Sequence, residues 1–134
     1  MLLTDGHGTP VGLEVTSASP HEVNLVEPLV SHAQVRLPRR TRLLYDKAAD
    51  SASLRRRISW QGIRLIAPYR KKRDGSKRDL SARDHSHYLK RWKVERTFAW
   101  LKNLRRLGMR WEYHAHLFEG FWQLGCLFII LKTF

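Results

Sequence analysis

Apolar and polar positions alternate in short runs at the start of the chain and settle into helical spacing towards its end. Leu2-Leu3-Thr4 and Val11-Gly12-Leu13-Glu14-Val15-Thr16 flank the Gly-rich Asp5-Gly6-His7-Gly8-Thr9-Pro10, a pattern that predicts a β-hairpin. Ser19-Pro20-His21-Glu22 then opens a helix, with Ser19 as cap, Pro20 at the first helical position and Glu22 completing a capping box. Val23, Leu25, Val26, Leu29 and Val30 follow at amphipathic spacing, and Ser31 to Arg40 is a polar, Pro-containing connection. Thr41-Arg42-Leu43-Leu44-Tyr45-Asp46 predicts a strand that delivers a carboxylate at its C-terminal end, where open α/β sheets build their sites. Asp50-Ser51 can cap the next helix, with Leu54, Ile58 and Ile63 inside and Arg55, Arg56 and Arg57 largely outside. Arg64-Leu65-Ile66-Ala67 is a further short strand that Pro68 ends.

Tyr88 to Lys102 contains no Gly and no Pro, and its residues favour a helix. At about 100° per residue, Tyr88, Arg91, Glu95 and Lys102 fall within roughly 60° of one another, in a line about 21 Å long. Val94, Phe98 and Leu101 make an apolar stripe beside that line and seat the helix on a core. Arg105, Arg106, Arg110 and Trp111 form a basic and aromatic interval suited to phosphates and to stacking on an unpaired base. A last helix from His116 to Leu131 is apolar all round near Ile129 and reads as a buried packing helix, too short in its apolar run for a membrane span. Strand, strand, helix, strand, helix, strand, helix, helix is α/β material.

With 134 residues the chain holds one modest domain. Its 25 Lys and Arg against 12 Asp and Glu leave a net charge of +13, which favours a polyanionic partner. The charge concentrates in a basic loop at about residues 69–86, where Arg70, Lys71, Lys72 and Arg73 would be relieved of mutual repulsion on a phosphate backbone. The single cysteine, Cys126, rules out an internal disulfide, and no secretory signal is visible, so a cytoplasmic protein with no membrane contact is expected.

Chemistry narrows to a few positions. Asp5, beside Gly6 at a hairpin tip, is read as a turn residue. His21 and the pair His114 and His116 lack the further ligands of a zinc site. Glu95 stands alone among cations on its helix, which suits an acid that binds a metal while the cations hold a nucleic-acid backbone; the plainer reading is a surface helix laced with ion pairs.

The spacing Tyr88-x2-Arg91-x3-Glu95-x6-Lys102 resembles in full the signature of a large group of insertion-sequence transposases with an acidic DDE triad. The flanking Arg91-Trp92-Lys93-Val94-Glu95-Arg96-Thr97-Phe98-Ala99-Trp100-Leu101 is similar to the version in small bacterial elements. Asp46-Lys47-Ala48-Ala49-Asp50 matches the group at Asp46, Lys47 and Asp50, and departs where Gly and Tyr are usual. If that turn needs a positive φ, alanine there is strained.

The resemblance covers nearly the whole chain. It implies a ribonuclease-H-like α/β core, N-terminally truncated so that residues 1–134 form one partial catalytic domain whose first strand and first catalytic Asp lie upstream. It further implies DNA transposition, with Asp46 and Glu95 catalytic and binding Mg²⁺ or Mn²⁺ in two-metal chemistry. Tyr88, Arg91, Lys102, Lys47, Arg70, Lys71, Lys72, Arg73, Arg105 and Arg106 would contact DNA at transposon ends or target. The implied partners are the upstream half of the same enzyme and a second copy on DNA, in a bacterial, nucleoid-associated setting. The alternatives are an inactive remnant and a non-catalytic basic nucleic-acid-binding module.

Overall fold

The computed structural model describes residues 1–17, 19–71, 73, 75–76 and 78–133. Strand β1 (Leu2–Thr4) pairs antiparallel with β2 (Pro10–Leu13), closing the predicted hairpin. Helix α1 (Glu22–Ser31) follows. Then β3 (Arg42–Leu44) pairs in parallel with β4 (Arg64–Ile66) through α2 (Ala52–Trp60), a short βαβ unit. Helices α3 (Ala82–Tyr88), α4 (Trp92–Lys102), α5 (Arg105–Gly108) and α6 (Ala115–Thr133) complete the chain. The fold is mixed α/β with two separate two-stranded sheets.

Side-chain alternation along β1 places the hairpin between two apolar clusters. Leu3 joins Val26, Leu29 and Val30 of α1, Leu43 of β3, Leu54 and Ile58 of α2, and Leu65 of β4. Leu2, on the opposite face, joins Leu101 of α4, Leu107 of α5, and Cys126 and Ile129 of α6. A three-residue strand thus carries one residue for each half of the core.

Several elements differ from the sequence expectation. Helix α1 starts at Glu22 with His21 as its cap, and no side chain caps it, so Ser19 and Pro20 precede the helix instead of opening it. The stretch from Tyr88 to Lys102 is not one α-helix: Tyr88 ends α3, a 3₁₀ turn occupies Leu89–Arg91, and α4 begins at Trp92. Leu89 (φ −57°, ψ −21°) and Trp92 (φ −52°, ψ −21°) remain right-handed, so the helix tightens without breaking. Helix α3 begins inside the stretch expected as basic loop and runs two residues beyond it, started by Ser81, whose Oγ accepts from the Asp84 amide at 3.1 Å. Helix α6 is only half a packing helix. Phe121, Trp122, Cys126 and Ile129 face the core, while Leu117, Leu124, Leu127, Phe128 and Leu131 are exposed. Among the described residues no helix is long and apolar enough to cross a membrane.

Candidate active site

Asp46 sits two residues beyond β3, where Tyr45 still donates its amide to the Ile66 carbonyl at 3.0 Å. Its Oδ1 accepts from the Ala48 amide at 2.7 Å and caps the 3₁₀ turn Lys47–Ala49. Arg40 is the only non-glycine with positive φ among the described residues, so the strain expected at Ala48-Ala49 is absent; Ala49 is fully buried in the core. The turn tolerates alanine because it is helical, with no left-handed residue.

The turn is braced from behind. Asp50 pairs with Arg55 at 3.1 Å and accepts the Arg70 amide at 2.6 Å. Arg55 also donates to the carbonyls of Leu65 (3.0 Å) and Ala67 (2.7 Å), tying the start of α2 to the end of β4. The Arg70 guanidinium donates to the carbonyls of Lys47 (3.2 Å) and Ala48 (3.0 Å), so the structure places it on the Asp46 turn.

Glu95 lies in the first turn of α4 and forms an i,i+4 ion pair with Arg91. The same helix grips the hairpin turn. Lys93 donates to the Gly6 carbonyl, Arg96 to that of His7 at 2.9 Å, and the buried Thr97 hydroxyl to that of Gly8 at 2.6 Å. Gly8 has φ +96°, and a Cβ there would come within 3.1 Å of both Arg96 Nη2 and Thr97 Oγ1. Glycine is needed for both reasons.

Asp46 and Glu95 line one cavity of about 610 Å³. Its walls are β1 and the hairpin turn on one side, β3 and its continuation on another, with α1 and the start of α4 between them. Asp5 and Glu22 add two more carboxylates, and Arg36, Arg42, Lys90, Arg91 and Lys93 supply the cations; the rest is largely apolar. Burial pushes the Tyr45 hydroxyl above its ordinary value, and the charges of Glu22 and Asp46 push it the same way. Asp5 holds the turn as expected, with Oδ1 accepting the amides of His7 (2.8 Å) and Thr9 (2.9 Å). Its place on the cavity wall, like those of Glu22, Lys90 and Lys93, had no signal in the sequence. Among the described residues no three His, Cys, Asp or Glu side chains stand close enough together to hold a metal ion.

The remaining cations predicted to bind DNA are spread over the surface. Lys47, Lys71, Arg73, Lys102 and Arg105 are exposed. Arg106 pairs with Glu112 at 2.9 Å, and Tyr88 lies under the Arg91 guanidinium at 5.9 Å. Neither Tyr88 nor Lys102 is on the cavity wall. Lys72 falls outside the described residues.

No solved structure matches the chain. A protein assigned as the transposase for insertion sequence element IS402 of Burkholderia cepacia is 34% identical over 139 residues, covering 98% of this chain and 62% of that relative. The chain thus spans less than two thirds of that relative's length. The model of the transposase DDE domain matches residues 1–131. Two acids on one cavity wall, the spacing around Glu95 and these two similarities agree: the chain belongs to the transposase DDE domain family of insertion sequences.

Proposed function

We propose that this chain is the C-terminal portion of a DNA transposase that binds transposon-end DNA and contributes two of three catalytic acids to strand cleavage and transfer. The observation that carries this reading is the shared cavity wall of Asp46 and Glu95, residues 49 positions apart in sequence. One Asp46 oxygen is committed to the turn amide, which leaves the other as a donor; Glu95 is held in place by Arg91. A divalent ion, Mg²⁺ or Mn²⁺, would supply Lewis acidity at phosphate oxygens when bound. Hard cations need several oxygen ligands, and because no three acids among the described residues stand close enough together to hold one, the reading takes the third carboxylate from an upstream segment.

The sheet arrangement supports a source for it. Strands β1 and β3 both line the cavity and are not bonded to each other, so an added strand could pair with both and unite the two sheets in a ribonuclease-H-like order. That strand would belong to the upstream half of the enzyme. Arg91 and Lys102 would contact phosphates, with Tyr88 positioning the strand. The absence of strain at Ala48-Ala49 removes one motive for reading the chain as an inactive remnant.

The test is Mn²⁺-dependent nicking of the element's end sequences by the chain reconstituted with its upstream half. Glu95→Ala and Asp46→Ala should each abolish nicking while leaving duplex binding within a few-fold. Equal nicking by Glu95→Ala would end the catalytic assignment.

A further inference from the structure

A second cavity, of about 510 Å³, lies across the hairpin turn from the first, and its lining differs in holding cations without the carboxylates that accompany them in the first. Asp5 and Gly6 border the first cavity, while His7, Gly8 and Thr9 border this one. On α4, Glu95 faces the former and its neighbour Arg96 the latter. Among the described residues no Asp or Glu lines the second cavity. Its polar groups include the guanidinium of Arg96, the ammonium of Lys132, the amide of Asn103 and the imidazole of His7.

Two aromatic rings share the hollow with those cations. Trp100 and Phe128 are 48% and 47% exposed, so each keeps about half its surface for a ligand. Arg96 is wedged between Trp92 (4.9 Å) and Trp100 (4.7 Å) and fixed by its bond to the His7 carbonyl. Lys132 stands 4.4 Å from the Phe128 ring centre. Aromatic faces flanked by cations, with no carboxylate opposing them, fit a ligand that is both flat and anionic. The volume falls in the usual small-ligand range of roughly 300–1,000 Å³.

We propose that this second cavity binds one unpaired nucleotide of a DNA strand, its base against Trp100 and Phe128 and its phosphate against Arg96 and Lys132. Stacking on aromatic faces accepts any base, and Asn103 offers both a donor and an acceptor to the base edge. The hairpin turn and α4 contribute residues to both cavities, so one DNA strand could engage the two together. The proposal rests on the reading of the chain as a DNA-processing domain.

The test is equilibrium binding by the full chain, in chelator, of a labelled thymidylate strand of about ten nucleotides, a typical single-strand site size. An abasic strand of the same length and charge serves as the comparison. The chain should prefer the strand with bases by about ten-fold. Trp100→Leu and Phe128→Leu should each remove most of that preference, while Trp60→Leu, an exposed tryptophan outside the cavity, should keep it. Lack of base preference in the unaltered chain overturns the proposal, as does loss of preference in Trp60→Leu in place of Trp100→Leu. Should Trp100→Leu misfold by circular dichroism, Phe128→Leu decides alone. Glu95-dependent nicking alongside an absent base preference would sink this site and leave the catalytic reading standing.

Discussion

At Asp5, burial opposes the charge, but the amides of Thr9 and His7 outweigh it and hold the carboxyl below its usual value. A carboxylate whose folded value is depressed stabilises the fold above its unfolded value, near 3.8, and that contribution is lost as pH falls through the lower folded one. The His7 and Thr9 amides should therefore lose protection from exchange below about pH 3.8. Asp5→Asn should abolish this pH dependence; protection unchanged in acid would show that the turn stands without the carboxylate. Cys126 is buried and its thiol is pushed up to about 11 by that burial. Its alkylation in the native chain at pH 8 should be slower than in denaturant by orders of magnitude, because thiolate and access are both scarce. The turn role of Asp5 was legible from its neighbour Gly6. Its position opposite Asp46 was not, because that depends on where α1 and α4 pack.

Between elements, the decisive contact is the grip of α4 on the hairpin turn, which fixes Glu95 relative to β1. Thr97→Val should cost about 1–3 kcal/mol, since it deprives a buried carbonyl of its donor, and Thr97→Ser should recover most of that. Urea midpoints would measure both, and a Thr97→Val chain as stable as the parent would show that the bond contributes nothing net. Gly8→Ala should destabilise further, adding a positive-φ penalty to two contacts at 3.1 Å. The elements themselves were largely readable from spacing: the hairpin, the βαβ unit and α6 fall close to their predicted places. Helix α1 was misplaced at its start because a Ser-Pro-His-Glu run offers two consistent starts, and local patterns do not choose between them. The 3₁₀ turn at Leu89–Arg91 was hidden for a related reason, since its residues suit an α-helix equally well.

Over the whole molecule, a charge of +13 should make duplex binding strongly salt-dependent. If about six phosphates are neutralised, affinity should fall on the order of a thousand-fold between 50 and 200 mM salt. Lys71→Ala and Arg73→Ala should each lower the slope of that dependence by about one, as expected for a phosphate contact. Arg70→Ala should leave the slope unchanged, because its guanidinium is engaged by the Lys47 and Ala48 carbonyls. An equal slope change for Arg70 and Arg73 would place Arg70 on DNA after all. By itself the sequence determined the class of fold, the excess of positive charge and the two acids worth watching, since each is written in local periodicity, composition or spacing. Only the tertiary structure decided that residues 46 and 95 border one hollow, that Arg70 serves a turn, and that Arg96, Trp100, Phe128 and Lys132 meet in another. Those are distances between segments far apart in the chain, set by how Leu2 and Leu3 divide one short strand between two cores.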